Sequence, residues 1–190
     1  MSAHASVALT LDGPLAVATL ARAPVNAIDE EWLARLDEAL SIIERAEGVS
    51  ALLVRSTERI FSAGADLELM RGRFDTAQGR ERMVAFVRDI QRVYARLARL
   101  PQVTIAELGG AALGLVQWVV PAAELPARAM AVAAGIAALP AAAVAACKRC
   151  IHASLDQGVD GYEMEVEATA ALLASGATQE RVRQFLARKR

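Results

Sequence analysis

The sequence is short of several things, and each shortage argues against a class of function. Its formal net charge is −1, so no global basic field exists to attract nucleic acid. Histidine occurs only as His4 and His152, and no nucleophile motif accompanies either, which leaves a Ser-His-Asp or Cys-His device little to draw on. A surface or helix-capping role suits His152 better. Aromatic residues make up 4% of the chain, which argues for closely packed small-residue helices rather than an aromatic binding platform. No window reaches the roughly 18 apolar residues that span a bilayer; even Leu115 to Leu139 is broken by charges and prolines. Met1 to Thr10 lacks a basic stretch followed by an apolar one, so no signal peptide is expected. The two cysteines fit a reducing compartment. The expectation is a soluble cytoplasmic protein with no membrane or nucleic-acid partner.

Those cysteines stand as Cys147-Lys148-Arg149-Cys150. A redox pair would follow a strand and open a helix. This one lies inside a helical run beginning near Ala141, with no second pair to complete a zinc site. Packed or spare thiols are the better reading.

What the chain does have is length and apolar content. At 190 residues it fits one domain, or one domain with an appendage. A chain of this size buries roughly 70% of its unfolded surface and needs no disulfide or metal to fold. Ser6 to Leu11 and Leu15 to Leu20 are apolar runs around Asp12-Gly13-Pro14, which predicts a hairpin or tight turn. Leu33, Leu36, Leu40 and Ile43 then fall on one helical face, with Asp29 as N-cap and Ile28 and Leu33 spaced as a hydrophobic staple. Ala51 to Arg55 is a short strand. The strongest helical pattern is Met83, Phe86, Val87, Ile90, Val93, Tyr94, Leu97 and Leu100 at spacings of three and four, and Pro101 ends it. Val103 to Ala106 and Leu115 to Val120 read as strands on either side of Gly109 to Gly114. Glu124 to Leu139, Ala141 to Leu155, Val159 to Ala174 and Thr178 to Arg190 read as helices, with breaks at Pro140, Gly158 and Gly176. Alternating strands and helices followed by helices alone predict an α/β core over residues 1–120 and a helical region over 121–190.

Several blocks, in order and over nearly the whole chain, resemble the crotonase (enoyl-CoA hydratase/isomerase) superfamily. Arg22-Ala23-Pro24-Val25-Asn26-Ala27-Ile28 is similar to that family's Pro-x-Asn-Ala turn. Phe61-Ser62-Ala63-Gly64-Ala65-Asp66-Leu67 is the most specific match. Val103 to Glu107 leading into Gly109 to Gly114 resembles the start of the glycine-rich oxyanion segment. Leu115 to Pro121 resembles the strand before the C-terminal helices, and Ala177 to Arg190 the closing helix. The resemblance implies a ββα spiral core, a homotrimer or dimer of trimers, and an acyl-CoA thioester substrate, with no cofactor beyond the coenzyme A that the substrate carries. The reaction it implies passes through an enolate whose oxygen is held by two backbone N–H donors. Ala65 would be one donor, with Gly64 allowing the tight turn, and Gly114 would begin the run holding the other. Ala63, Asp66 and Leu67 would meet the coenzyme A moiety, as would Phe185 with Arg188 or Lys189. The basic end Arg181 to Arg190 also reads as favourable charge at a helix C-terminus.

The pattern breaks after Gly114. In the family a catalytic glutamate follows the glycine run closely and a second lies further on. Here Leu115-Val116 follows at once, and Gly114 belongs either to the glycine run or to a Gly-Leu-Val start of the next block; either way the second donor and both glutamates have no counterpart. One lost oxyanion donor costs about 10²–10³ in rate, and a lost acid or base about 10²–10⁴. Either the chain is an internally deleted, catalytically inactive acyl-CoA-binding or assembly subunit, or residues are missing between Gly114 and Leu115. The abrupt junction favours the second, under which the two Cα atoms lie much further apart than the ~3.8 Å of bonded neighbours. Glu107 is the carboxylate nearest the break and a poor candidate for substitute base. Glu68 reads as a solvated first-turn acid.

Overall fold

In the computed structural model, residues 6–71, 73, 76–109, 118–153 and 158–187 are described, a few helical residues such as Phe185 by backbone only. Val7–Asp12 (β1) and Leu15–Leu20 (β2) form the expected antiparallel hairpin, Val7 facing Leu20 and Asp12 facing Leu15. Gly13 takes a left-handed φ of 53° in its turn. Ala51–Ser56 (β3) lies parallel to β2, and Val103–Ala106 (β4) parallel to β3, giving the order β1-β2-β3-β4. Parallel neighbours need crossovers, and helices supply them.

Glu30–Arg45 (α1) begins where Asp29 accepts a hydrogen bond from the Trp32 N–H. Its apolar stripe, Leu33, Leu36, Leu40 and Ile43, is buried as the spacing predicted, together with Trp32 and Ile28. Leu67–Arg71 (α2) is a single turn or so, and Ala77–Arg99 (α3) is the long helix, capped by Thr76 and ended before Pro101. Met83, Phe86 and Val93 of α3 join the α1 stripe against Ala16, Ala18, Leu20, Leu52 and Val54. Full burial of each large apolar side chain contributes about 1.5–3 kcal/mol.

The other face of the sheet is covered by Leu125–Ala137 (α4), entered through a 3-10 turn at Ala122–Glu124. Its buried residues are Ala129, Ala133 and Ala137, four apart, against Leu15, Val17, Ala51 and Leu53. Small side chains let helix and sheet approach closely. β2 and β3 are therefore covered on both faces, which is why they read as continuous apolar runs. Ala141–Ala153 (α5), Gly161–Ala174 (α6) and Gly176–Ala187 (α7) follow; α5 packs against β4, α6 against α5 and α7 against α6.

Several boundaries differ from expectation by one or two residues, and three differences have an evident bearing on the fold. Residues 118–120 are irregular rather than strand; among the described residues no strand pairs beyond β4. α6 begins at Gly161, not Val159, because the Asp160 carboxylate accepts from the Glu163 N–H as an N-cap. Gly176 opens α7 instead of breaking the chain, since Ser175 Oγ accepts from the Thr178 N–H and makes the cap one residue earlier. The Gly114–Leu115 junction lies outside the described residues. Among those residues no single helix is long and apolar enough to cross a membrane; α4 with its leading turn and α5 reach that composition only as a pair bent by 99°.

Candidate functional site

The site is built at the carboxyl ends of β2, β3 and β4, where open parallel sheets hold their ligands. Three stretches of chain meet there. After β2 the chain turns through Arg22 to Ile28, with a cis Ala23–Pro24 bond and Asn26 at a φ of 48°. Asparagine tolerates that left-handed conformation better than most side chains. It is fully buried, and its amide donates to Ser56 Oγ at 2.8 Å, Phe61 O at 3.1 Å and Ile60 O at 3.3 Å. Its own Oδ1 accepts from the Arg22 N–H at 2.8 Å. Asn26 thus ties the turn after β2 to the loop after β3.

That loop is Phe61 to Asp66. Ser62 Oγ donates to Asn26 O at 2.8 Å and accepts from the Gly64 N–H at 3.2 Å. Gly64 has a φ of 86°, a region open to glycine at little cost. Ala65 then forms a one-residue parallel bridge to Ile28, closed by Ile28 N–H to Gly64 O (2.8 Å) and Asp66 N–H to Ile28 O (2.9 Å). The Ala63 N–H donates to Val25 O at 2.9 Å. Every N–H from Ala63 to Asp66 is thereby engaged except that of Ala65, for which no acceptor is found among the described residues.

Asp66 closes the loop. Its Oδ1 accepts from the Glu68 and Leu69 N–H groups, and its Oδ2 from Arg22 Nη2 at 2.8 Å. The Arg22 bond, the Leu69 amide and the Glu68 amide hold the Asp66 carboxyl below the usual aspartate range, outweighing its desolvation. The same Nη2 lies 2.8 Å from Asp29, the cap of α1, while Nη1 donates to Ala27 O at 2.7 Å. One guanidinium therefore fixes two helix caps and the backbone between them.

The third stretch follows β4. The Glu107 N–H donates to Val54 O at 2.9 Å, extending the β3–β4 pairing by one residue. A side chain on Gly109 would come within 3.6 Å of Arg59 O, so the segments leaving β3 and β4 run side by side. Between β4 and α4 lies a cleft of about 340 Å³, lined by apolar residues such as Ile105, Val120 and Val132 and by Glu107, Arg128 and Trp118. Arg128 sits 4.9 Å over the Trp118 ring.

Ala63, Gly64, Ala65 and Asp66 are therefore brought together. Leu67 opens α2 with its side chain 77% exposed. Glu68 is exposed in the first turn of that helix. Phe185 falls within α7, its side chain outside the described residues, as are Gly114, Arg188 and Lys189. Cys147 and Cys150 lie within α5, Cys147 exposed, and His152 Nε2 is 3.0 Å from Ala98 O near the end of α3.

An α/β chain with this sheet order and these strand ends has the crotonase fold. It superimposes on Pseudomonas aeruginosa DspI with a TM-score of 0.85, over 99% of this chain and 96% of that one, at 20% identity. An enoyl-CoA hydratase from Bacillus anthracis gives a TM-score of 0.85 over 96% of each chain at 18% identity. At these identities the likeness is one of fold. The family follows from sequence: the enoyl-CoA hydratase/isomerase family model matches residues 12–114, more than half of the chain, which belongs to that family. A Bacillus subtilis protein named "Probable enoyl-CoA hydratase" is 31% identical over 109 residues, covering 57% of this chain and 41% of that protein. The fatty acid oxidation complex subunit alpha of a Psychrobacter strain is 36% identical over 90 residues, 47% of this chain and 12% of that protein. The chain thus matches less than half the length of either curated relative.

Proposed function

We propose that the chain binds acyl-CoA thioesters and holds the developing enolate oxygen with the Ala65 N–H, its reaction being the addition of water to a 2-enoyl-CoA. The observation that carries this is the Ala65 N–H itself. Among the described residues it is unpaired between engaged neighbours, in a loop fixed by Asn26, Ser62 and Arg22, in a chain of the enoyl-CoA hydratase/isomerase family. A donor held rigidly where negative charge develops needs no reorganisation at the moment of reaction. On this reading Ala63 and Asp66 meet the coenzyme A moiety through their carbonyls, since both N–H groups are taken. Leu67, Phe185 and one of Arg188 or Lys189 complete that contact, and Gly114 belongs to the second donor. The exposed Ile151 and Val166, on α5 and α6, suit a trimer interface. Two free cysteines suit the cytoplasm.

Purified protein incubated with crotonyl-CoA should remove the enoyl absorbance, and should bind butyryl-CoA in a titration. Binding without turnover would instead support an acyl-CoA-binding or assembly subunit. That second reading is favoured by the missing counterparts of the two glutamates. Failure to bind any acyl-CoA would sink both.

A further inference from the structure

The family's two glutamates have no counterpart here, yet one carboxylate stands at the site in a condition that needs a reason. Glu107 is the first residue past β4 and lines the cleft between β4 and α4. Its Oε2 is shut off from solvent, with no hydrogen-bond donor in reach among the described residues. The hydroxyl of Thr104, another cleft residue, is in the same state. An unpartnered, desolvated carboxylate oxygen costs stability, and a catalytic role is one of the reasons for which such a group is kept. The only other titratable group lining the cleft among the described residues is Arg128, which is exposed and lies over Trp118 rather than in an ion pair with Glu107.

The direction of the Ala65 N–H links this carboxylate to the oxyanion site. In a parallel ladder a residue's two neighbours make the bonds to the facing strand, and its own N–H and C=O point to the opposite edge. Gly64 O and Asp66 N–H both face Ile28, so the Ala65 N–H faces away from it. Ile28 continues the chain after β2 and Ala65 the chain after β3. In the order β2-β3-β4 the free edge is the one on the β4 side. That is where Glu107 emerges, held to Val54 O by its own N–H.

We infer that Glu107 is the carboxylate that takes and returns the proton at this site, a role that rests on the acyl-CoA reading above. A water gives one proton to Glu107 as its oxygen bonds to C3 of the enoyl thioester. The C2–C3 π electrons move onto the thioester oxygen, which the Ala65 N–H holds. The enolate collapses by taking the proton from Glu107 at C2, which restores the thioester carbonyl and the carboxylate. Water is added across the double bond, with no redox partner and no group left over.

The test compares wild type, Glu107→Gln and Glu107→Asp for crotonyl-CoA hydration, butyryl-CoA affinity and thermal unfolding. The amide cannot carry the proton, so Glu107→Gln should lose about 10²–10⁴ in rate with butyryl-CoA affinity unchanged. Its melting temperature should not fall, because an unpaired carboxylate has been removed; a purely structural Glu107 would melt earlier when changed. Glu107→Asp, which withdraws the carboxylate by one methylene, should be slowed at least tenfold, and serves alone if the glutamine variant does not fold. A wild type that binds butyryl-CoA but does not hydrate crotonyl-CoA would overturn the role of Glu107 while leaving acyl-CoA binding intact. So would either variant working at the wild-type rate. A wild type that binds no acyl-CoA overturns both readings.

Discussion

Arg22 Nη2 donates to Asp66 Oδ2 at 2.8 Å across a separation of 44 residues, and so joins the turn after β2 to the cap of α2. Asp29 Oδ2 forms an ion pair with the same nitrogen at 2.8 Å, so removing the guanidinium strands two partly buried carboxylates at once. Arg22→Ala should lower stability in urea unfolding by about 1.5–3 kcal/mol, the range for a hydrogen bond to a charged group. It should also weaken butyryl-CoA binding, because Asp66 no longer locks the Ala65 loop. Arg22→Lys keeps the charge but not the planar fork that reaches Ala27 O as well, and should recover only part of both losses. An Arg22→Ala variant with wild-type stability would show that the triad contributes nothing.

The Asp66 carboxyl titrates below the ordinary 3.8, which fixes the sign of a pH effect. Folding binds the ionised form more favourably, so this stabilisation is fully present above 3.8. It is lost as pH falls through the lower, folded value. Asp66→Asn keeps a capping oxygen but not the charge. The stability difference between wild type and Asp66→Asn should therefore be constant near neutrality and shrink towards zero in acid below 3.8. A difference that grows on acidification would show the sign to be wrong.

Gly64 separates conformation from crowding. Its φ is 86°, and a Cβ there would meet nothing within 4 Å. Gly64→Ala therefore brings the left-handed penalty alone, about 1–2 kcal/mol, without a clash. The chain can relieve that strain by rotating the peptide that carries the Ala65 N–H. Butyryl-CoA binding should accordingly fall by more than the stability loss would suggest, measured on protein that is still fully folded. Unchanged binding would place the oxyanion donor elsewhere.

How much of this was legible in the sequence depended on distance along the chain. The cap at Asp29, the stripe of α1 and the end of α3 before Pro101 are local patterns with local causes, and they stand as read. The Phe61 to Asp66 loop was legible as a motif. What holds it was not: Arg22 and Asn26 act across tens of residues through the sheet, and no periodicity encodes which carbonyl a buried amide will reach. The starts of α6 and α7 differ from the expected Val159 and Thr178 because the side-chain oxygens of Asp160 and Ser175, rather than the nearby glycines, set the boundaries. Glu107 had no sequence signal beyond its position, and only the cleft beside β4 makes it conspicuous.

Lys148 gives the opposite pH sign from Asp66. Its Nζ donates to the neutral Gln102 O at 2.8 Å, and burial pushes its pKa below 10.5. Between that lowered value and 10.5 the unfolded chain binds more protons than the folded one, so stability rises with pH across that window. Below it the cost of burying the ammonium is fully present. Lys148→Met should be about as stable as wild type near neutrality, with the lost hydrogen bond offset by the relieved desolvation, and should show no such rise. Tyr94, whose hydroxyl is pushed above its ordinary 10.0 by burial, titrates in the same region in both proteins. Subtracting one urea-unfolding curve from the other cancels it. The wild type should then gain on Lys148→Met as pH approaches 10.5, and a flat difference would mean that the ammonium stays solvated in the folded chain.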